Sequence, residues 1–379
     1  MTSFKMLTPG GPWAALDGSI NAPTGTPQYP TLLNGYAARP PWKVAGVDYR
    51  VGIKTDVTLL DPATLPSGSY GTSTPGIYAE STSTESGNAG VVWLIGDNNV
   101  LNGYDLSLVT AHSNTASWII ISKGNNNTIT NCNLKVNAAT SIDPNRYMIC
   151  SPIGHGAQSF SGLTITNCVI DGNAGSEHAS VNYAATVVWD QNRLVCEYNW
   201  FKNSPNDIID FFGDCLIQWN LFDTEALHNT GSDADGIQTD NGTQSSEGGT
   251  MTPLVNFNTF YQPAYVTGND STRVAQSGFG FQSQSNGSGT VDASHIVNGT
   301  LNNNTLVILG KTNVGLGLGV GGSDSANNTV SGTSIQNNYL DITGITAQGG
   351  VSILVNNDTG SIIANNINMS DGSTIAPEH

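Results

Sequence analysis

The chain has 379 residues with 44 glycines, 11% charged residues and a formal net charge of −17. Its twelve Lys and Arg residues are scattered, which excludes the clustered cations that nucleic acid or an anionic membrane surface would require. A hydrophobic content of 38%, placed at regular intervals, separates it from disordered chains of similar glycine content.

Residues 1–88 are rich in Pro and Gly and lack the regularity that follows. They read as an irregular N-terminal cap, or equally as a region that docks into a larger assembly. The opening residues show no basic segment followed by an apolar one, so no secretory signal is expected, and no apolar run approaches the length of a membrane span.

From residue 89 to 379 a hydrophobic-x-x-(Asn/Cys)-x-hydrophobic signature recurs. It reads Leu101/Tyr104/Leu106, Ile129/Cys132/Leu134, Ile165/Cys168/Ile170, Cys196/Asn199/Phe201 and Ile217/Asn220/Phe222. It continues as Val255/Asn258/Phe260, Leu301/Asn304/Leu306 and Ile335/Asn338/Leu340, with a degraded copy at Ile363/Asn366. The interval between central positions ranges from 21 residues, Asn199 to Asn220, to 46, Asn258 to Asn304. A constant motif separated by segments of variable length is the mark of a repeat architecture. The stretches 127–136, 163–172, 215–223 and 333–342 are short, alternating and rich in β-branched residues, which predicts strands bounded by turns. One such strand cannot make a core, but equivalent strands stacked about 4.8 Å apart can. The pattern therefore predicts an all-β chain, a parallel β-helix over 89–379 with a column of Asn and Cys inside. The five cysteines (Cys132, Cys150, Cys168, Cys196 and Cys215) form an odd set without metal-ligand spacing and read as buried free thiols.

Candidate chemistry concentrates between Asp207 and Glu247, where nine carboxylates occur without a Lys or Arg. Asp210 and Asp235, about one repeat apart, are expected on similar faces of neighbouring strands, where two carboxylates serve as acid and nucleophile or acid and base in glycoside hydrolysis. An elimination on a uronic-acid polymer would instead need a base, for which His228 and Lys202 are placed, and a cation to neutralise the substrate carboxylate. The acidic set Asp233, Asp235 and Asp240 would hold Ca²⁺ through oxygen ligands; no motif asks for another cofactor. A solvated acidic loop without catalytic duty fits the same residues. Trp200 and Trp219 flank the repeat positions and are expected to point outward, where an indole face can stack on a sugar ring.

The repeated coils resemble the right-handed parallel β-helix superfamily that includes pectate-lyase-like enzymes and bacteriophage spikes. The segment Ser232–Asp240, SDADGIQTD, is similar to the Asp-Gly-Ile-Gln stretch of many polysaccharide-directed β-helix proteins, which adds Gln238 to the substrate-binding candidates. Residues 40–53, PPWKVAGVDYRVGI, resemble leader segments of phage-encoded spikes. The resemblance implies a right-handed solenoid that recognises a cell-surface polysaccharide. It further implies that the chain is carried on a virion or phage-like particle and joined to other particle proteins through the N-terminal region. The chain departs from pectate-lyase-type elimination, since the solenoid lacks an Arg-x-x-x-Arg arrangement. Two functions stay open: a virion-associated spike or fibre that binds glycan, and a polysaccharide lyase or glycoside hydrolase. An open strand edge near the last repeat implies a cap, or a second copy of the chain in a homo-oligomer.

Overall fold

The computed structural model describes residues 3–6, 43–44, 47–48, 54–68, 71–80, 92–106, 118–135, 147–150, 160–171, 187–189, 192–202, 208–211, 213–223, 235–239, 250–262, 277–283, 295–308, 316–322, 329–341, 351–356, 358–368 and 372–378. Among these the protein is all-β, with one short 3-10 turn at Pro62–Thr64. None of the described residues forms a helix long and apolar enough to cross a membrane.

Most described strands belong to three long sheets of eleven, nine and eight strands, visited in a fixed rotation. Trp118–Lys123 lies in the eleven-stranded sheet, Asn127–Thr130 in the nine-stranded sheet and Asn133–Lys135 in the eight-stranded sheet. Tyr147–Cys150, Ser161–Thr166 and Val169–Asp171 then repeat the order one circuit later. Each strand pairs in parallel with its equivalents in the neighbouring circuits. Ile129 stands between Leu101 and Ile165, Ile209 between Val187 and Ile237, and Phe222 between Phe201 and Phe260. In the later circuits a four-stranded sheet of Thr250–Met251, His295–Val297, Thr329–Ser331 and Asp358–Thr359 is inserted between the eleven- and nine-stranded sheets.

The repeat's apolar positions explain this arrangement. Ile120, Ile149 and Ile237 from the eleven-stranded sheet, Ile129 and Ile165 from the nine-stranded sheet, and Leu134, Ile170 and Phe222 from the eight-stranded sheet belong to one buried cluster. Each such side chain contributes about 1.5–3 kcal/mol when withdrawn from water, a gain no single circuit secures without its neighbours. Inside, Phe201 and Phe222 stack at 5.0 Å, and Phe279 meets Phe222 and Phe260 edge-on at 5.5 and 5.9 Å. The rings demand room. A Cβ at Gly236 would lie 2.7 Å from Phe260 Cε2, and one at Gly278 would lie 2.3 Å from Leu306 Cδ2. In the preceding circuit, where Phe222 replaces Phe260, the position equivalent to Gly236 holds the core residue Ile208.

The passage from the nine- to the eight-stranded sheet is always two residues. The first is left-handed: Asn131, Asn167, Tyr198, Trp219, Phe257, Asn303, Asn337 and Asn365 have φ between 53° and 61°. The second is a buried Cys or Asn. The Asn199 backbone N–H and Nδ2 both donate to Asn220 Oδ1, at 2.9 and 3.0 Å, while Asn220 Nδ2 donates to the Cys196 carbonyl at 2.8 Å. Asn220, Asn258, Asn304, Asn338 and Asn366 extend the same pattern one circuit at a time. The column satisfies the backbone groups that a sharp buried corner would otherwise leave unpaired.

Both ends of the parallel stacking are modified. Gly76–Glu80 runs antiparallel to Val92–Ile95 at the N-terminal edge of the eleven-stranded sheet. On the face opposite the main core, Trp93, Ile95 and Ile121 form a second small cluster with Tyr78 against it. At the other end the Glu378 N–H donates to the Ile353 carbonyl and the Ile375 N–H to the Asn366 carbonyl. The chain's own residues 372–378 thus cover the last strands of the eleven- and eight-stranded sheets. The last strand of the nine-stranded sheet, Ile362–Ala364, leaves Ile362 57% exposed.

Candidate functional site

Two of the acidic residues singled out in the sequence, Asp210 and Asp235, lie on strands of the eleven-stranded sheet. Ile209 and Phe211 belong to the core, so strand alternation turns Asp210 between them to the opposite face. Asp210 is nevertheless only 9% exposed. Its register partner in the next circuit is Gln238, which is half-buried, and Gly280 and Gly319 follow in the same column. Two polar side chains therefore give way to two glycines along one line. A Cβ at Gly280 would meet nothing among the described residues nearer than the Gly319 carbonyl oxygen at 3.9 Å, so the glycine there does not relieve a packing clash with them, although Gly280 and Gly319 are both buried.

The register separates the two carboxylates expected to face one another. Asp235 stands opposite Ser277 and three residues ahead of Gln238 on its strand, so Asp210 and Asp235 are offset along the sheet by about 10 Å. The offset arises because Gln238, and not Asp235, aligns with Asp210. Asp235 and Lys202 are described by their backbone alone, and His228, Asp233 and Asp240 lie outside the described residues. Of the proposed Ca²⁺ set, only Asp235 therefore has a described position. Among the described residues no three or more His, Cys, Asp or Glu gather into a metal site.

Lys202 occupies the register between Asp171 and Asp223 on the eight-stranded sheet, and Lys135 precedes Asp171. Four circuits thus alternate Lys, Asp, Lys, Asp at one register position. Trp200 precedes the inward Phe201, aligns with Val169 and Leu221, and is half-buried.

Trp219 belongs to a feature that the sequence reading missed. It sits at the left-handed corner position, and Tyr198 and Phe257 hold the same position in the adjacent circuits. The Trp219 ring lies 6.1 Å from Tyr198 and 4.6 Å from Phe257, with interplanar angles of 11° and 10°. The indole thus has an aromatic neighbour on each side along the stack. The signal was present in the sequence: the residue before each column Asn is aromatic in three consecutive repeats and Asn in the others downstream. On the outer face beside the column, Gln218 donates to the Glu197 carboxylate.

Cys132, Cys168, Cys196 and Cys215 are free and buried. Burial pushes the Cys168, Cys196 and Cys215 thiols well above the ordinary thiol range, which makes them poor nucleophiles and metal ligands. They act as packing residues. No family model matches the chain, and neither curated proteins nor solved structures yield a match.

Proposed function

We propose that the three sheets close as a right-handed parallel β-helix of the pectate-lyase-like and bacteriophage-spike kind, and that the chain is a virion-associated spike or fibre recognising a cell-surface polysaccharide. The column Asp210–Gln238–Gly280–Gly319 on the outer face of the eleven-stranded sheet carries this reading. A stacked sheet offers an elongated surface with a repeat of about 4.8 Å, and a polymer of repeating units is the ligand such a surface suits. A carboxylate and an amide at one end of the column accept and donate hydrogen bonds to sugar hydroxyls, and the glycines at the other end let a pyranose ring approach the backbone closely. The net charge of −17 favours a neutral or cationic glycan over a polyanionic one. In this reading residues 1–88 cap the first circuit or join it to other particle proteins.

The test is retention and calorimetry of the full chain on host surface polysaccharide, beside Gly280→Leu and Asp210→Asn. Gly280→Leu places a side chain over the column, so binding should fall at least tenfold, with Tm recorded beside it to separate a lost site from a lost fold; Asp210→Asn should weaken binding by about 1–3 kcal/mol. Sizing the polysaccharide after incubation separates recognition from cleavage. Unchanged binding by Gly280→Leu would remove this face from the reading, and a shortened polymer would replace the spike with a depolymerase.

A further inference from the structure

We propose that Thr333, Asp358 and Ser361 form a buried oxygen-ligand site for a hard cation of the Ca²⁺ class, at the inserted corner of the last two circuits. The site is distinct from the glycan surface and does not depend on it. Asp358 is misplaced for a structural residue. In the four-stranded sheet its register partner is Val330, which follows Ile296 and Met251, and all three of these belong to the main core. A carboxylate thus continues a column of apolar side chains. Both of its oxygens are shielded from solvent, and neither has a hydrogen-bond partner among the described residues.

Two further oxygens share that condition. Ser361 lies three residues beyond Asp358, across a turn in which Gly360 adopts φ 82°. Thr333 holds the position equivalent to Ser361 one circuit earlier, since Ser334 aligns with Ile362 and the Ile362 N–H donates to the Thr333 carbonyl. The side-chain oxygens of Thr333 and Ser361 are likewise buried without a partner among the described residues, and Thr333 is 0% exposed. The column points inward: at Gly299, the same position one circuit further back, a Cβ would lie 3.0 Å from Phe281 Cε2.

Asp358 and Ser361 are half-buried residues whose side-chain oxygens are nonetheless shielded, and shielded oxygens without partners are costly to hold. A carboxylate with two hydroxyls is a hard oxygen donor set, and a cation bound among them satisfies all three at once. The register aligns Thr333 with Ser361 on adjacent circuits, and Asp358 lies one short turn before Ser361, a placement that a motif search along the sequence does not find.

The experiment uses the full chain stripped of metal, with Asp358→Val, which restores the residue type of Val330, and Thr333→Val, which keeps shape and removes the hydroxyl. Equilibrium dialysis against Ca²⁺ should give one ion more for the native chain than for Asp358→Val. Melting of the native chain should rise by a few degrees when Ca²⁺ is raised to about 100 times its Kd, a rise absent in Asp358→Val. Thr333→Val should bind the ion several-fold more weakly, which keeps the proposal testable if Asp358→Val does not fold. Equal stoichiometry in the native chain and Asp358→Val overturns the proposal. So does unchanged Ca²⁺ affinity in Thr333→Val, or an Asp358→Val chain that melts higher than the native one at saturating Ca²⁺.

Discussion

At the scale of single residues, the buried corner is controlled by what its second position can donate and accept. Asn220 supplies an acceptor to the Asn199 backbone and a donor to the Cys196 carbonyl, so Asn220→Ala leaves at least two buried backbone groups unpaired and should cost about 2–5 kcal/mol in denaturant unfolding. Cys168 is the informative contrast. Its backbone N–H already donates to Asn199 Oδ1 at 3.0 Å, whereas its thiol makes only weak sulfur hydrogen bonds, to the Thr166 carbonyl at 3.3 Å and the Ile129 carbonyl at 3.7 Å. Cys168→Asn would extend the column toward Cys132, and is expected to stabilise the chain by about 0.5–1.5 kcal/mol in the same measurement. The repeat was legible in the sequence down to these positions because an inward Asn must keep step with its flanking apolar residues. The partners of Asp210 and Asp358 were not legible. They depend on register between strands whose connecting segments vary in length, and no local pattern carries that register.

At the scale of elements, the inner face trades bulk between strands. Gly236 and Gly278 lie where a methyl group would strike Phe260 and Leu306 and the carbonyl oxygens of Gly278 and Gly317, whereas the position equivalent to Gly236 one circuit earlier holds the core residue Ile208. Gly236→Ala should therefore destabilise by about 1–3 kcal/mol through overpacking, even though alanine is the better residue for chain entropy; a chevron or equilibrium melt reads the sign directly. On the outside, the aromatic corners reflect a balance of similar size. A bulky residue at positive φ costs about 1–2 kcal/mol, and each stacked pair returns about 0.5–1.5 kcal/mol. Tyr198, Trp219 and Phe257 thus support one another in a conformation where asparagine serves elsewhere. Sequence reasoning assigned Trp219 to sugar contact because spacing identifies an outward residue without identifying what covers its faces.

At the scale of the whole molecule, each circuit is held chiefly by the circuits on either side, so stability should vary along the stack. Native-state hydrogen exchange is expected to be slowest for the strands between Asn199 and Asn304 and to quicken toward Ile362–Ala364, where the nine-stranded sheet ends with Ile362 exposed. Uniform protection throughout would indicate one cooperative block and count against nearest-neighbour stacking. The constant two-residue passage between the nine- and eight-stranded sheets has a different consequence. Because that hinge never changes length while the other links do, insertions and deletions can be absorbed on the remaining sides without disturbing its alignment. The molecule resembles a bookbinding with a fixed spine and pages of unequal width, and its outer loops are free to diversify while the binding stays the same.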